Sequence, residues 1–225
     1  MIARMPQLHR DGPVWIIDFG ADENRYSPDF LDQVEVFLDE LVADREPAAL
    51  VTTATGKFFS NGLDLAWVQA HPEQFLTYVH RVERLLARLL TLPVPTVAAI
   101  NGHAFGAGAL VALCHDYRLM RDDRGFFCLP EVDIRIPFSL GMSALVQSKL
   151  TPRSAVDAMT TGRRYGGADA LAAGVVDAVH SEDELLPAAI ALATSLAGKD
   201  RMTLGTIKER MFAHVTAPLL QGAAG

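Results

Sequence analysis

The stretch 96–119, TVAAINGHAFGAGALVALCHDYRL, is where this sequence can do chemistry. It reads as a strand over 97–100, a turn carrying Gly102, Gly106 and Gly108, and a small-residue apolar helix running to about Asp116. Glycines this close together allow tight or left-handed backbone and let another group come near it. The first turn of the helix leaves backbone N–H groups without internal partners, at the positive end of the helix dipole. Such a strand–turn–helix can hold an anion or a developing negative charge. The glycine spacing fits neither G-x-G-x-x-G nor G-x-x-x-x-G-K-[ST], and no lysine follows. Taken alone, the turn reads more readily as a packing turn in an α/β core. What favours a site is a second stretch, KFFSNGLDL over 57–65, led into by another buried-looking strand over 48–53. Metal and nucleophile chemistry find no support, because H-E-x-x-H, C-x-x-C and G-x-S-x-G are all missing and the seven histidines lack ligand spacing.

FFSNGLDL resembles the F-x-x-G-x-D-L segment of the crotonase superfamily, the enoyl-CoA hydratases and isomerases. NGHAFGAGAL…HDYRL resembles that family's second signature, and LPEVDI the segment that carries a catalytic glutamate. The order and spacing agree, and the resemblance runs from about Val14 to Lys208. It implies a fold of repeated ββα units with a short C-terminal helical region that assembles trimers, sometimes paired into hexamers. On that footing 1–150 is the α/β core and 151–225 the helical, oligomerising part. No cofactor is implied beyond coenzyme A as part of the substrate.

By the same resemblance, the backbone N–H groups of Leu63 and Ala107 form an oxyanion hole, with Gly62 and Gly106 shaping the two loops. Hydratases of the family use two glutamates, and the position of the first falls on Leu110, which cannot transfer a proton. The second falls on Glu131. One carboxylate resembles the Δ3,Δ2-enoyl-CoA isomerase branch, in which a single glutamate moves a proton from C2 to C4. Leu110, with Phe126, Phe127 and Phe138, would give Glu131 an apolar setting and raise its pKa. Outside its ordered set of motifs, a Glu after Pro reads as a surface loop residue. Asp133 is a rival base, for which pairing with Arg121 or Arg135 is the preferred reading. Asp64 reads as the cap of a short helix beside the substrate loop. His103 reads as a packed or hydrogen-bonded histidine, and Ser60 and Asn61 as satisfying loop backbone. Lys57 and Lys208 are expected to meet coenzyme A phosphates. Rival functions are hydration or thioester hydrolysis on the same scaffold, and a catalytically silent CoA-binding subunit.

The elements that must position these residues follow from periodicity. A first strand is expected over 14–19, then a helix capped by Ser27 with Pro28 in its first turn and Phe30, Leu31, Val34, Leu38 and Leu41 on one face. Phe75, Val79, Val82, Leu85, Leu86 and Leu89 mark a long amphipathic helix ended by Pro93 and Pro95, with Arg81, Arg84 and Arg88 on its solvated face. Strands are expected over 117–121 and 175–179, and helices over 139–150, 152–160, 168–173 and 182–196. This alternation implies βαβ units and a largely parallel sheet. The tail over 218–225 is expected to fray.

At 225 residues, half of them hydrophobic, the chain can bury a sizeable core. A net charge of −7 argues against nucleic acid as a partner and requires local basic groups for any polyanionic ligand. Cys114 and Cys128 lie in apolar surroundings and read as reduced core residues. No signal-peptide pattern and no membrane-length apolar run is seen, so a cytoplasmic protein without membrane partners is expected.

Overall fold

The computed structural model describes residues 5–222. The chain opens with a hairpin, β1 (Gln7–Asp11) and β2 (Val14–Asp18), followed by α1 (Pro28–Ala43). A strand–strand–helix unit then recurs. It comprises first β3 (Ala49–Thr53), β4 (Phe58–Ser60), α2 (Leu65–Ala70) and α3 (Phe75–Leu90). Next come β5 (Thr96–Ile100), β6 (His103–Phe105) and α4 (Ala107–Cys114), then β7 (Tyr117–Arg121), β8 (Phe127–Cys128) and the single-turn α5 (Glu131–Ile134). The remainder holds α6 (Leu140–Lys149), α7 (Pro152–Thr161), β9 (Arg164–Tyr165), α8 (Gly167–Ala172), β10 (Ala178–His180), α9 (Glu182–Leu196), α10 (Arg201–Met211) and α11 (Ala213–Gln221).

Among the described residues, six strands form one sheet in the order β1-β2-β3-β5-β7-β10 and four form a second, β4-β6-β8-β9. Pairing is parallel from β2 to β10 in the first sheet and from β4 to β8 in the second. Each repeat therefore lays one strand in each sheet before its helix, which is the ββα repetition expected. The turn expected after β5 is in part a strand of the second sheet, β6, too short and too glycine-flanked to show in the sequence.

Every residue of β3 and β5 is buried, as an apolar run in a parallel sheet covered on both faces must be. Leu185, Ala189, Ala193 and Ala197 of α9 and the residue after it close one face against Val14, Val51, Val97 and Leu119. Helices α1, α3 and α4 lie in the larger core on the other face. Ser27 caps α1 as expected, its Oγ accepting from the Phe30 N–H at 3.3 Å. Arg81 and Arg88 do not simply face solvent: Arg81 binds Asp32 and Glu35, and Arg88 binds Asp39, tying α3 to α1.

Residues 151–222 do not stand apart from the core. β9 and β10 extend the two sheets, and Phe212, Val215 and Leu219 belong to the main core cluster. The tail is helical through Gln221, because the buried Val215 and Leu219 hold α11 despite Pro218; residues 223–225 lie outside the described residues. The last strand begins at Ala178, since the Val175 carbonyl is taken by Arg118 Nε at 2.7 Å instead of a strand partner.

Lys208 requires a correction. Its ammonium is buried, with Nζ 2.6 Å from Asp116 Oδ2 and 2.8 Å from the Val94 carbonyl oxygen. Asp116 Oδ2 also accepts from the Thr96 N–H at 2.8 Å. Asp116 follows the C-terminal end of α4, at the opposite end of that helix from Ala107, so Lys208 secures the start of β5 and is not free to meet a phosphate. Asp116→Asn should leave this buried ammonium without its counter-charge. Breaking such a pair costs about 3 kcal/mol, measurable by urea unfolding; a loss below about 1 kcal/mol, the range of an exposed pair, would mean that Lys208 is solvated.

Candidate active site

Two loops meet where β4 and β6 leave the second sheet. Gly62 has φ +78°, and a Cβ there would lie 2.8 Å from the Phe105 carbonyl oxygen and 2.9 Å from the Ala107 nitrogen. Only glycine allows that backbone conformation at that separation. Gly106 is also left-handed, at φ +53°, and turns the chain from β6 into α4. The expected site residues Leu63 and Ala107 are thereby brought next to one another. Among the described residues neither of their N–H groups has a partner within the chain, and Ala107 opens the first turn of α4, where none is available inside the helix. Gly108 allows a different approach, since a Cβ there would overlap the backbone of Ser60.

The Leu63 loop is held by Ser60 together with Asn24, Tyr26 and Tyr78, three residues that sequence reasoning did not single out. Asn24, left-handed at φ 51°, donates its amide to the carbonyls of Gly20, Phe58 and Phe59 at 3.0–3.1 Å. Ser60 Oγ donates to the Asn24 carbonyl at 2.7 Å and accepts from the Gly62 N–H at 3.1 Å, the backbone role expected of it. Tyr78 Oη accepts from the Asp64 N–H at 2.9 Å and donates to the Tyr26 carbonyl at 2.7 Å. The Tyr26 N–H in turn donates to the Gly62 carbonyl at 2.9 Å. In sequence, Tyr78 reads as one more member of an apolar helix face. Its only signal is a hydroxyl at a buried phase of α3, where a partner is obligatory. Asp64 does cap α2, with Oδ1 accepting from the Trp67 N–H at 3.1 Å.

Glu131 enters from the third repeat. β8 pairs with β6, and the Gly106 N–H donates to the Cys128 carbonyl at 3.0 Å, so the segment before Glu131 is tied to the turn before Ala107. Glu131 opens α5, which Arg135 ends in a left-handed conformation at φ 59°. A Cβ on Gly106 would lie 3.7 Å from Glu131 Oε1, which puts the carboxylate beside the glycine that precedes Ala107. The side chain is buried and Oε2 has no hydrogen-bond partner. Burial pushes the carboxyl up to about 7, against a smaller opposing effect of its own backbone N–H. It lines a cavity of about 420 Å³ with Val132, Ile136, Pro137, Phe138 and Met159, and Arg135 is the other charged residue on that wall. The apolar setting expected for Glu131 therefore comes from the segment that follows it, with Phe138 the one expected ring among the lining residues. A larger groove of about 770 Å³, bordered by α1, α3 and α11, contains none of the expected site residues.

Leu110 is buried in the main core on α4, and its N–H donates to the Gly106 carbonyl at 3.0 Å. Lys57 is exposed before β4 with Nζ 5.2 Å from the centre of the Phe58 ring, and it does not line the Glu131 cavity. Asp133 is exposed and also lies outside the cavity lining; the pairing with Arg121 is corrected, because that guanidinium takes Asp123 and Glu182. His103 packs among Phe58, Phe105 and Phe126 with ring centres 5.1–5.6 Å apart. Burial holds its imidazole below the usual histidine range. Cys114 and Cys128 are buried free thiols, and Cys128 Sγ donates to the Gly162 carbonyl at 3.3 Å. Among the described residues no group of three His, Cys, Asp or Glu could hold a metal ion, and no helix is long and apolar enough to cross a membrane.

Residues 17–225 match the family model described as enoyl-CoA hydratase/isomerase. Enoyl-CoA delta isomerase 3 of Arabidopsis thaliana is 39% identical over 204 residues, covering 87% of this chain and 86% of that protein. The peroxisomal enoyl-CoA delta isomerase 1 of the same organism is 34% identical over 218 residues, covering 94% and 91%. Among solved structures, human mitochondrial delta3-delta2-enoyl-CoA isomerase superposes with a TM-score of 0.90 at 25% identity, covering 97% of this chain and 87% of that one.

The raised Glu131 pKa makes a stability prediction of its own. A carboxyl that titrates higher folded than unfolded favours the native state at low pH, and that contribution is lost as pH rises through about 7. Glu131→Gln has no such dependence. The stability of the variant relative to wild type should therefore increase by about 3 kcal/mol from about pH 4 to about pH 8. Urea unfolding at both pH values measures it, and a difference independent of pH would show that Glu131 is not desolvated.

Proposed function

This chain belongs to the enoyl-CoA hydratase/isomerase family, and we propose that it shifts the double bond of 3-enoyl-CoA thioesters to the 2-position. The observation that carries the reading is the buried carboxylate of Glu131 beside the Gly106–Ala107 turn, with an apolar Leu110 further along the helix that this turn opens.

The chemistry needs one group that takes a proton and gives it back. Glu131 accepts the C2 proton, the C2–H bond breaks, and its electron pair moves through the thioester carbonyl onto oxygen. The N–H groups of Leu63 and Ala107 hold that oxyanion; removing one such donor typically costs about 3–4 kcal/mol in the transition state. The Glu131 proton then bonds to C4, the 3,4 double bond moves to 2,3, and the carbonyl re-forms. A carboxyl titrating near 7 is matched to both halves of the transfer, and an apolar cavity wall keeps competing water away from the enolate.

Hydration would require a second group to activate water. Leu110 cannot do so, and Asp133 lies outside the cavity lining, so isomerisation is favoured. Coenzyme A enters as part of the substrate, with the exposed Lys57 available to its phosphates. A homotrimer, alone or paired, is part of the same proposal. Supporting it are the large apolar side chains left exposed in the second half of the chain, among them Leu140, Met202 and Leu220.

The direct test is incubation with 3-hexenoyl-CoA and with 2-hexenoyl-CoA, followed by product identification by mass and absorbance. Wild type should convert the first and hydrate the second little; efficient hydration would contradict the isomerase reading. Glu131→Gln should fold and still bind CoA esters, but lose about 10²–10⁴ in turnover. Retention within about tenfold of wild type, well short of that loss, would remove Glu131 from the role. Because the base must be ionised, wild-type kcat/KM should rise with pH through about 7 and level off above it.

A further inference from the structure

Glu83 is a carboxylate the proposed reaction does not use. It lies on α3 with 0% of its surface exposed, one turn before the buried Leu86 and Ala87 and two before the buried Leu90. Its Oε1 accepts a hydrogen bond from Ser139 Oγ, and its Oε2 is buried with no partner. A carboxylate in such a place is costly where a leucine would be cheap, so stability alone does not account for it.

Its one partner indicates what it does. Ser139 spends its only hydroxyl proton on Glu83 and accepts from the Met142 N–H at 3.2 Å, capping α6. The residues before it, Ile136, Pro137 and Phe138, and Ser143 in α6, line the cavity that contains Glu131. On the same helix as Glu83, Tyr78 holds the Asp64 N–H next to Leu63. α3 thus reaches the oxyanion loop through one side chain and the wall around Glu131 through another.

We propose that Glu83 is a positioning residue: by holding Ser139 it fixes the Pro137–Phe138 wall over Glu131, keeps that carboxyl dry, and sets the room left for the acyl chain. The reference to an acyl chain rests on the isomerase reading; the positioning of the wall does not.

The test uses the full chain with Glu83→Leu, Glu83→Gln and Ser139→Ala, reading the Glu131 titration by NMR of ¹³C-labelled glutamate and kcat/KM for 3-hexenoyl-CoA against 3-dodecenoyl-CoA. Glu83→Leu should admit water to the wall, moving the Glu131 midpoint down from about 7 toward the usual carboxylate range. It should also change the ratio of the two kcat/KM values by about tenfold. Glu83→Gln offers a carbonyl to the Ser139 hydroxyl and should restore both readouts. Should Glu83→Leu not fold, Ser139→Ala removes the same hydrogen bond from the other side and carries the same expectation. A folded variant lacking that bond, with an unshifted Glu131 midpoint and an unchanged ratio, would overturn the proposal. Wild type without isomerase turnover would defeat the functional reading instead, and the titration would still decide the role of Glu83.

Discussion

The contact between the backbone of Gly62 and the start of α4 is the constraint on which the rest of this site depends. No side chain fits between Gly62 and the Phe105–Ala107 turn, and Gly108 lets the same helix press against Ser60. Two chain segments from successive repeats can therefore bring unpartnered N–H groups to one place without any charged side chain. Backbone donors held this way cost little reorganisation when charge develops opposite them. The network of Asn24, Ser60, Tyr26 and Tyr78 exists to keep one of those segments from relaxing.

Desolvation supplies the other half. Glu131 has a buried oxygen without a partner and an apolar wall made by the residues that follow it. That arrangement raises the free energy of the ionised form, a cost that the burial of the large hydrophobic core offsets. The same burial makes the carboxyl a better proton carrier near neutral pH. The function proposed for Glu131 and the local instability thus share one physical cause. Leu110 belongs to the same logic, since a second carboxylate there would have to be buried in the core that α4 shares with α3.

What could be read from the sequence were the features set by short-range chemistry. The Ser27 and Asp64 caps, the helical stripe of α1 and the buried parallel strands each follow from neighbouring residues, and the ordered glycine and LPEVDI segments single out Ala107 and Glu131 as candidates. What could not be read is set by long-range contacts. β6 was hidden inside a glycine-rich stretch because its pairing partners lie on β4 and β8. Lys208 reads in sequence as a coenzyme A contact on a late helix, and only the fold brings Asp116 and Val94 to it. Glu83 did leave a trace, as an acidic residue at the apolar phase of α3 between Val79 and Leu86. Composition alone does not say whether such a residue is a misfit or a working part.

Whether one water-shielded carboxyl carries the same proton from C2 to C4 can be read from a 3-enoyl-CoA deuterated at C2, turned over in ordinary water and analysed by mass and NMR over the first turnovers. Deuterium should appear at C4 of the 2-enoyl product, because the label stays on Glu131 for longer than the enolate survives. Complete replacement by solvent hydrogen at C4, with no label transferred, would contradict that transfer.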